Sequence, residues 1–564
     1  MEKFSEIRYE RPDFAAAKKK LKQLTAALKK APDAASALKI FDDFNTCYAQ
    51  LATMITVAEI RHDMNTKDEF YDKEKQLLDK KSVLLAPSAK KFYETLLASP
   101  YKEDFRKAYG DQFVKDLEVS NRLQNNRILL SMIRENKLVD RYSKEVAACK
   151  AEIGGETCNL YGLLKYMQNT DRDIRREAFQ KWADFYAGVA PKLDEYYDRL
   201  LKLRFGMAKK LGFKDVFEYV YLKRGHYDYT PKDVEAFRNA VRDYVVPACA
   251  KLYEQKREKL GLDRLHWYDE SLNDPAGNAD PHGTPEELVA AASGMYHELS
   301  PETDEFFRFM TEHGLFDLVT RPGKHLGGYC TALMSYKAPF IFSNFNGTAA
   351  DVDVLTHEAG HAFELYLSSR TLPILQMCHS TSDINEIHSM SMEHFAYPYM
   401  DKFFGEEADE YRRCHLTDAL CSVPYLVAVD EFQHRVYEKP DMTADERYAA
   451  WKKIEGIYLP WRDYDGNAFL EKGGFWMQKQ HIFMYPFYYV EYALSQICAF
   501  QYYIRMKQDR QAAWNDYITL CRAGGSEGYR RLLEIGRLRD PFDPDTIREI
   551  VGSVMTALET GDIL

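Results

Sequence analysis

The sequence predicts a mainly α-helical protein with one small β-sheet. Three observations carry that expectation. Apolar residues recur at helical spacing over long stretches, as in Leu38, Phe41, Phe44, Tyr48, Leu51 and Ile55. Helix-start signatures recur at Thr230-Pro-Lys-Asp233, Thr284-Pro-Glu-Glu287 and Ser300-Pro-Glu. Each places a hydroxyl before a proline, with acidic residues following. Between residues 326 and 345 the helical period gives way to β-formers and alternation.

Taken in order, residues 13 to 110 read as long helices, punctuated at Ala86-Pro-Ser and Ser99-Pro. Residues 111 to 225 continue as helices, with turns at Gly154-Gly155 and Thr170-Asp171. Between Asp263 and Gly283 lies a loop rich in Asp, Asn, Pro and Gly. The segment from Leu326 to Phe345 reads as about two to four strands, and Pro339 within it argues for an edge position. Such an edge can accept an extended peptide as an added strand, or can simply support the helix that follows. Gly327-Gly328 suits a hinge or a tight turn. Asn346-Gly347-Thr348 is a turn leading into the next helix.

Composition narrows the function. The chain has 564 residues, 46% of them hydrophobic, so it can bury a large core; length alone allows several domains. Net charge is −11 and no long basic run appears, which argues against a nucleic-acid partner. The charged N-terminus lacks the apolar core of a secretory signal. The most apolar window, Tyr485 to Tyr503, carries Glu491, Gln496 and Gln501, so a buried helix fits it better than a membrane span. Ten cysteines are scattered without C-x-x-C pairs and read as reduced thiols of a cytoplasmic protein. Cys330 and Cys378 lie nearest the site below and read as core residues.

That site centres on His357-Glu358-x-x-His361. On a helix, residues four apart share a face, so both imidazoles can hold one metal ion. Glu358 can reach a water on that ion, the arrangement of metalloproteases. Zinc suits imidazole and carboxylate ligands; cobalt or manganese can occupy the same donors. Composition alone produces such a pentapeptide in roughly 3% of chains this long, the bland alternative being two solvent-facing histidines. A third ligand decides between them. Glu386, 25 residues after His361, lies on a second predicted helix opened by Ser380 and Asp383, and can complete a His₂Glu set. Asp383 and Glu393 are candidates to orient the histidines, with Asp351 and Asp353 as alternatives. His379, His388 and His394 read as structural. Hydrolysis also needs donors for an oxyanion. Tyr485, Tyr489 and Tyr492 read as one stripe on a helix, with His481 a turn earlier.

These motifs in order resemble the M3 zinc metallopeptidases, the thimet oligopeptidase and oligoendopeptidase F group. Pro339-Phe-Ile-Phe-Ser-Asn-Phe-Asn-Gly-Thr348, Glu386-Ile-His-Ser-Met-Ser-Met-Glu393, His481 to Tyr492 and Arg522-Ala-Gly-Gly-Ser526 carry the likeness to the oligoendopeptidase F branch. Ile387-His388 departs from its usual Val-Ala. The resemblance implies a two-lobed helical peptidase with a deep central channel that admits short unfolded peptides. It implies an N-terminal wall over residues 1–175 and a catalytic domain over 176–564, with site segments 326–395 and 475–495. Carried over, His357, His361 and Glu386 bind one zinc ion, Glu358 is the general base, and Tyr492, Tyr485 and His481 act on the scissile carbonyl. Gly327, Gly328, Tyr329, Ala338 and Tyr489 are the substrate-contact candidates. Two rival readings remain on sequence alone: a zinc hydrolase of non-peptide amides, and a peptide-binding protein without turnover.

Overall fold

The computed structural model describes residues 1–325 and 327–564; Leu326, where the strand segment was expected to begin, lies outside them. The fold is mainly helical, with a two-stranded ribbon and a three-stranded sheet. Thr230, Thr284 and Ser300 cap their helices as the sequence predicts, each hydroxyl accepting a backbone N–H three residues on. Gly154 and Gly155 turn the ribbon between β1 (Ala151–Ile153) and β2 (Glu156–Cys158), both at positive φ.

The first four helices are α1 (Phe14–Leu28), α2 (Ala34–Met64), α3 (Glu69–Leu97) and α4 (Lys102–Leu123). Pro87 does not end α3 as its sequence suggests; it lies on an exposed face, where water can satisfy the carbonyl left without a donor. These helices enclose a core of their own around Phe41, Phe44, Phe92, Phe105 and Phe113. Ile374 and Met377, from the loop between the two ligand-bearing helices, complete it. The aromatic stripe of α2 divides. Phe41 and Phe44 are fully buried, but Tyr48 is 44% exposed, so part of what reads as core faces a groove.

The sheet runs β3 (Phe316–Val319), β5 (Ala338–Phe345), β4 (Tyr329–Leu333), with β5 central, parallel to β3 and antiparallel to β4. This corrects the edge assignment of Pro339. β5 pairs with β3 only from Ile341 onward, so at Pro339 the strand is bonded on one side, to β4, and its missing N–H breaks no ladder. The edge next to the site is β4. Buried on both faces along nearly its whole length, β5 leads through the Asn346–Thr348 turn into the site helix, Ala350–Thr371. Asp351 accepts the Asn346 and Gly347 N–H groups, so it fixes this turn rather than a histidine.

An acid helix, Ser382–Phe395, packs on the site helix, and a tyrosine helix, Tyr489–Gln508, packs in turn on the acid helix. A β-carbon at Gly360 would stand 2.6 Å from the Ser389 Cα and 2.8 Å from the His388 carbonyl oxygen. Only glycine permits that approach, and the approach carries Glu386 to the histidines. His388, the departure beside Glu386, is buried at the same crossing and neutral, its pKa lowered to about 3 by burial. Among the described residues all ten cysteines are free thiols, and no helix is long and apolar enough to cross a membrane.

Candidate active site

The pair His357 and His361 projects from one face of the site helix, ring centroids 5.1 Å apart. Glu386 Oε2 lies 3.3 Å from His357 Nε2 and 3.5 Å from His361 Nε2. Donors about 2.0–2.1 Å from a tetrahedral zinc stand about 3.3 Å from one another, so this spacing fits the ion. Glu386 is itself held: Ser389 Oγ donates to Oε2 at 3.0 Å and Tyr488 donates to Oε1 at 3.0 Å. Burial opposes its charge, yet the two imidazoles hold its pKa well below the usual range.

Behind His357 runs a largely buried polar chain. His357 Nδ1 lies 2.5 Å from Glu393 Oε1, which fixes the tautomer and turns Nε2 toward the site. Glu393 Oε2 is 3.1 Å from His415 Nε2, and His415 Nδ1 is 2.7 Å from the Tyr397 hydroxyl. Asp353 takes a hydrogen bond from Tyr411 at 2.5 Å and stands 4.0 Å from His415. Despite burial, the two histidines hold Glu393 down to about 2, and Glu393 holds His415 up to about 9. Asp383 has other partners. It accepts from Tyr229 at 2.8 Å and from Thr381, and burial raises it to about 6. The N-cap of its helix is Thr381, not Ser380, which bonds Asn385 instead.

Glu358 lies beneath the glycine pair. A β-carbon at Gly328 would stand 3.3 Å from the Phe342 carbonyl oxygen and 4.0 Å from Glu358 Oε1. Gly327 adopts φ +97°, and Asn344 Nδ2 donates to its carbonyl at 2.8 Å, so the pair forms a clamped tight turn. Two strand candidates are otherwise engaged. Tyr329 stacks on Phe342 and donates to Asp63 at 3.0 Å, and Ala338 is fully buried in the central strand, paired with Leu333. Ala338 is thus closed to a substrate. The accessible strand is β4, whose Cys330, Thr331 and Ala332 line a cavity of about 380 Å³ with His361, Glu386 and Tyr488. Burial raises the Cys330 thiol well above its ordinary pKa. Buried Cys378 only approaches the Ile374 carbonyl.

The expected tyrosine stripe is broken. His481 ends up on a short helix, Gln480–Met484, and the tyrosine helix begins only at Tyr489. Between them Pro486 and Phe487, the latter at φ +62°, turn the chain. Tyr485 is left 48% exposed, and Tyr489 is buried between His481 and Tyr425. The residue this turn delivers to the site is Tyr488, which the sequence reading missed. Its hydroxyl lies 3.0 Å from Glu386 and 3.2 Å from the Tyr492 hydroxyl, and its ring stacks on His481. The i, i+4 spacing of Tyr488 and Tyr492 was the available signal. Arg224, also missed, sits 4.5 Å over the Tyr488 ring, gripped by fully buried Glu491, which His226 also contacts at 2.7 Å. Burial lowers His481 to about 3, keeping it neutral.

The model of peptidase family M3 matches residues 165–552, and that of the peptidase M3 N-terminal domain matches residues 4–123. The chain belongs to peptidase family M3. An oligoendopeptidase F homolog of Borreliella burgdorferi is 22% identical over 378 residues, 64% of this chain and 61% of that relative. The match therefore spans less than two thirds of the curated relative's length. Among solved structures, this M3 chain resembles PZ peptidase A with an inhibitor, at 42% identity, 99% coverage of both chains and TM-score 0.94. It also resembles a structure provisionally assigned as oligoendopeptidase F from Bacillus anthracis str. Ames, at 37% identity, covering 99% of this chain and 98% of that one, with TM-score 0.89.

Proposed function

We propose that this M3 chain is a zinc-dependent oligoendopeptidase that cuts internal bonds of short unfolded peptides. The observation that carries the reading is the convergence of His357 Nε2, His361 Nε2 and Glu386 Oε2 at metal-ligand separations, with Glu358 alongside. These three side chains would hold the ion. Zinc, when bound, acidifies a water and polarises the scissile carbonyl. The chain's own residues do the rest. β4 offers an unpaired strand edge along which an extended peptide can lie, aligned by its main chain. Glu358 takes the proton of the attacking water and returns it to the leaving nitrogen. Tyr492, with His481 and rim-placed Tyr485, directs donors at the carbonyl oxygen as it gains charge. Glu393 keeps His357 in its ligating tautomer. Residues 1–175 form one wall of the channel over the catalytic region 176–564. The ten free thiols suit a reducing, cytoplasmic compartment.

The test is a digest of mixed peptides followed by mass spectrometry, with and without chelator. Internal cleavage that chelator abolishes and zinc restores is expected. Glu358→Gln should keep one zinc per chain and lose turnover by roughly a thousandfold or more. Unchanged turnover in that variant, or cleavage indifferent to chelator, overturns the mechanism.

A further inference from the structure

The cavity under β4 continues into a second one. Ala52, Met334 and His379 line both, and the second has a volume of about 410 Å³. It runs between α2 and α3 and is walled mainly by apolar side chains, among them Leu51, Ile55, Leu85, Ala89, Tyr93 and Leu375. Among the described residues no carboxylate lines it. The exposed ring of Tyr48 belongs to its rim.

At the far end two amides meet. Gln376 Nε2 donates to Asn45 Oδ1. That bond leaves Asn45 Nδ2 and Gln376 Oε1 without a partner among the described residues, just beneath the surface of the groove that the two side chains line. One free donor beside one free acceptor matches a peptide unit, which offers one carbonyl and one N–H. Turning both amides end for end exchanges the roles and preserves the match. Leaving such atoms unpaired costs stability, so a fold that keeps them invites a ligand that pairs them.

We infer that this groove is a distal subsite for the peptide substrate, taking an aliphatic or aromatic side chain while Asn45 and Gln376 turn outward to grip the adjoining main chain. The inference rests on the peptidase reading above. Its reach follows from geometry. Asn45 lies seven residues before Ala52 on α2, about 10 Å along the helix axis. That equals about three residues of extended chain. The subsite therefore reads a residue about three places beyond those occupying the metal-site cavity.

Binding to Glu358→Gln protein tests it without turnover, using a peptide series in which one Leu is moved stepwise through a Ser-rich background. A Leu at the distal place should tighten binding roughly tenfold over Ser, and over Leu at neighbouring places. In the active enzyme the same step should appear in KM and not in kcat. Asn45→Ala and Gln376→Ala should erase most of the gain. Ala89→Phe, which fills the groove without touching the amide pair, should erase it too, and thermal melting reports whether each variant is folded. A gain that survives Ala89→Phe in folded protein, or no positional preference at all, overturns the subsite. Cleavage without preference overturns this inference alone; absence of any peptide binding or cleavage overturns the peptidase reading with it.

Discussion

The two sides of the candidate site are built differently. On the acid side, the metal-site histidines, Glu386 and Glu393 sit on unbroken helices, and the chain His357–Glu393–His415–Tyr397 is hydrogen-bonded from end to end. On the tyrosine side, His481 and Tyr488 flank a break in the helix, and His481 Nδ1 is buried without a partner among the described residues. A metal ligand must be held in one orientation whether or not substrate is present, which a satisfied network achieves. A donor to a developing oxyanion is needed only when substrate arrives, and can wait unpaired. The contrast assigns metal affinity to the first side and turnover to the second.

Breaking the acid side gives the larger effect. Glu393→Ala frees the His357 ring and leaves His415 without its main partner, so zinc affinity should fall by about 10–100-fold. Competition with a chromophoric chelator measures it, and an unchanged affinity would sever Glu393 from metal binding. Tyr488→Phe removes a donor from Glu386 and from the pair with Tyr492. It should lower kcat by about tenfold while zinc affinity moves much less. A loss of zinc equal to that of Glu393→Ala would erase the distinction drawn between the sides.

The smallest effect is one of pH. Glu393 raises His415 to about 9 against its ordinary 6.5. A raised histidine contributes stability that is complete below about pH 6.5 and is lost as pH climbs through about 9. Metal-free protein should accordingly lose melting temperature across that window, and His415→Gln should flatten the slope.

This contrast also explains what the sequence made legible. His357, His361, Glu386 and Glu393 lie on two helices whose faces follow from spacings of four and seven. Their identification needed only that the helices meet, which Gly360 permits. The tyrosine side required knowing that Pro486 and Phe487 interrupt the helix. Counting through that interruption put Tyr485 and Tyr489 on one stripe with Tyr492 and passed over Tyr488. Arg224 lies 267 residues from Glu491, and no local pattern joins residues so distant. Ala338 and Pro339 were misjudged together, because the order of strands in a sheet is a tertiary fact that β-propensity does not contain.

The loop of Ile374 and Met377 has a consequence for how the molecule can be divided. It joins the helix bearing both histidines to the helix bearing Glu386, and its apolar residues plug the core of the first four helices. Trimming away those helices would strip two buried side chains bare at the hinge between the donors. The family's two matched segments are separable on paper but share this rivet, so a minimal catalytic fragment starting near residue 165 should be unable to hold its ion.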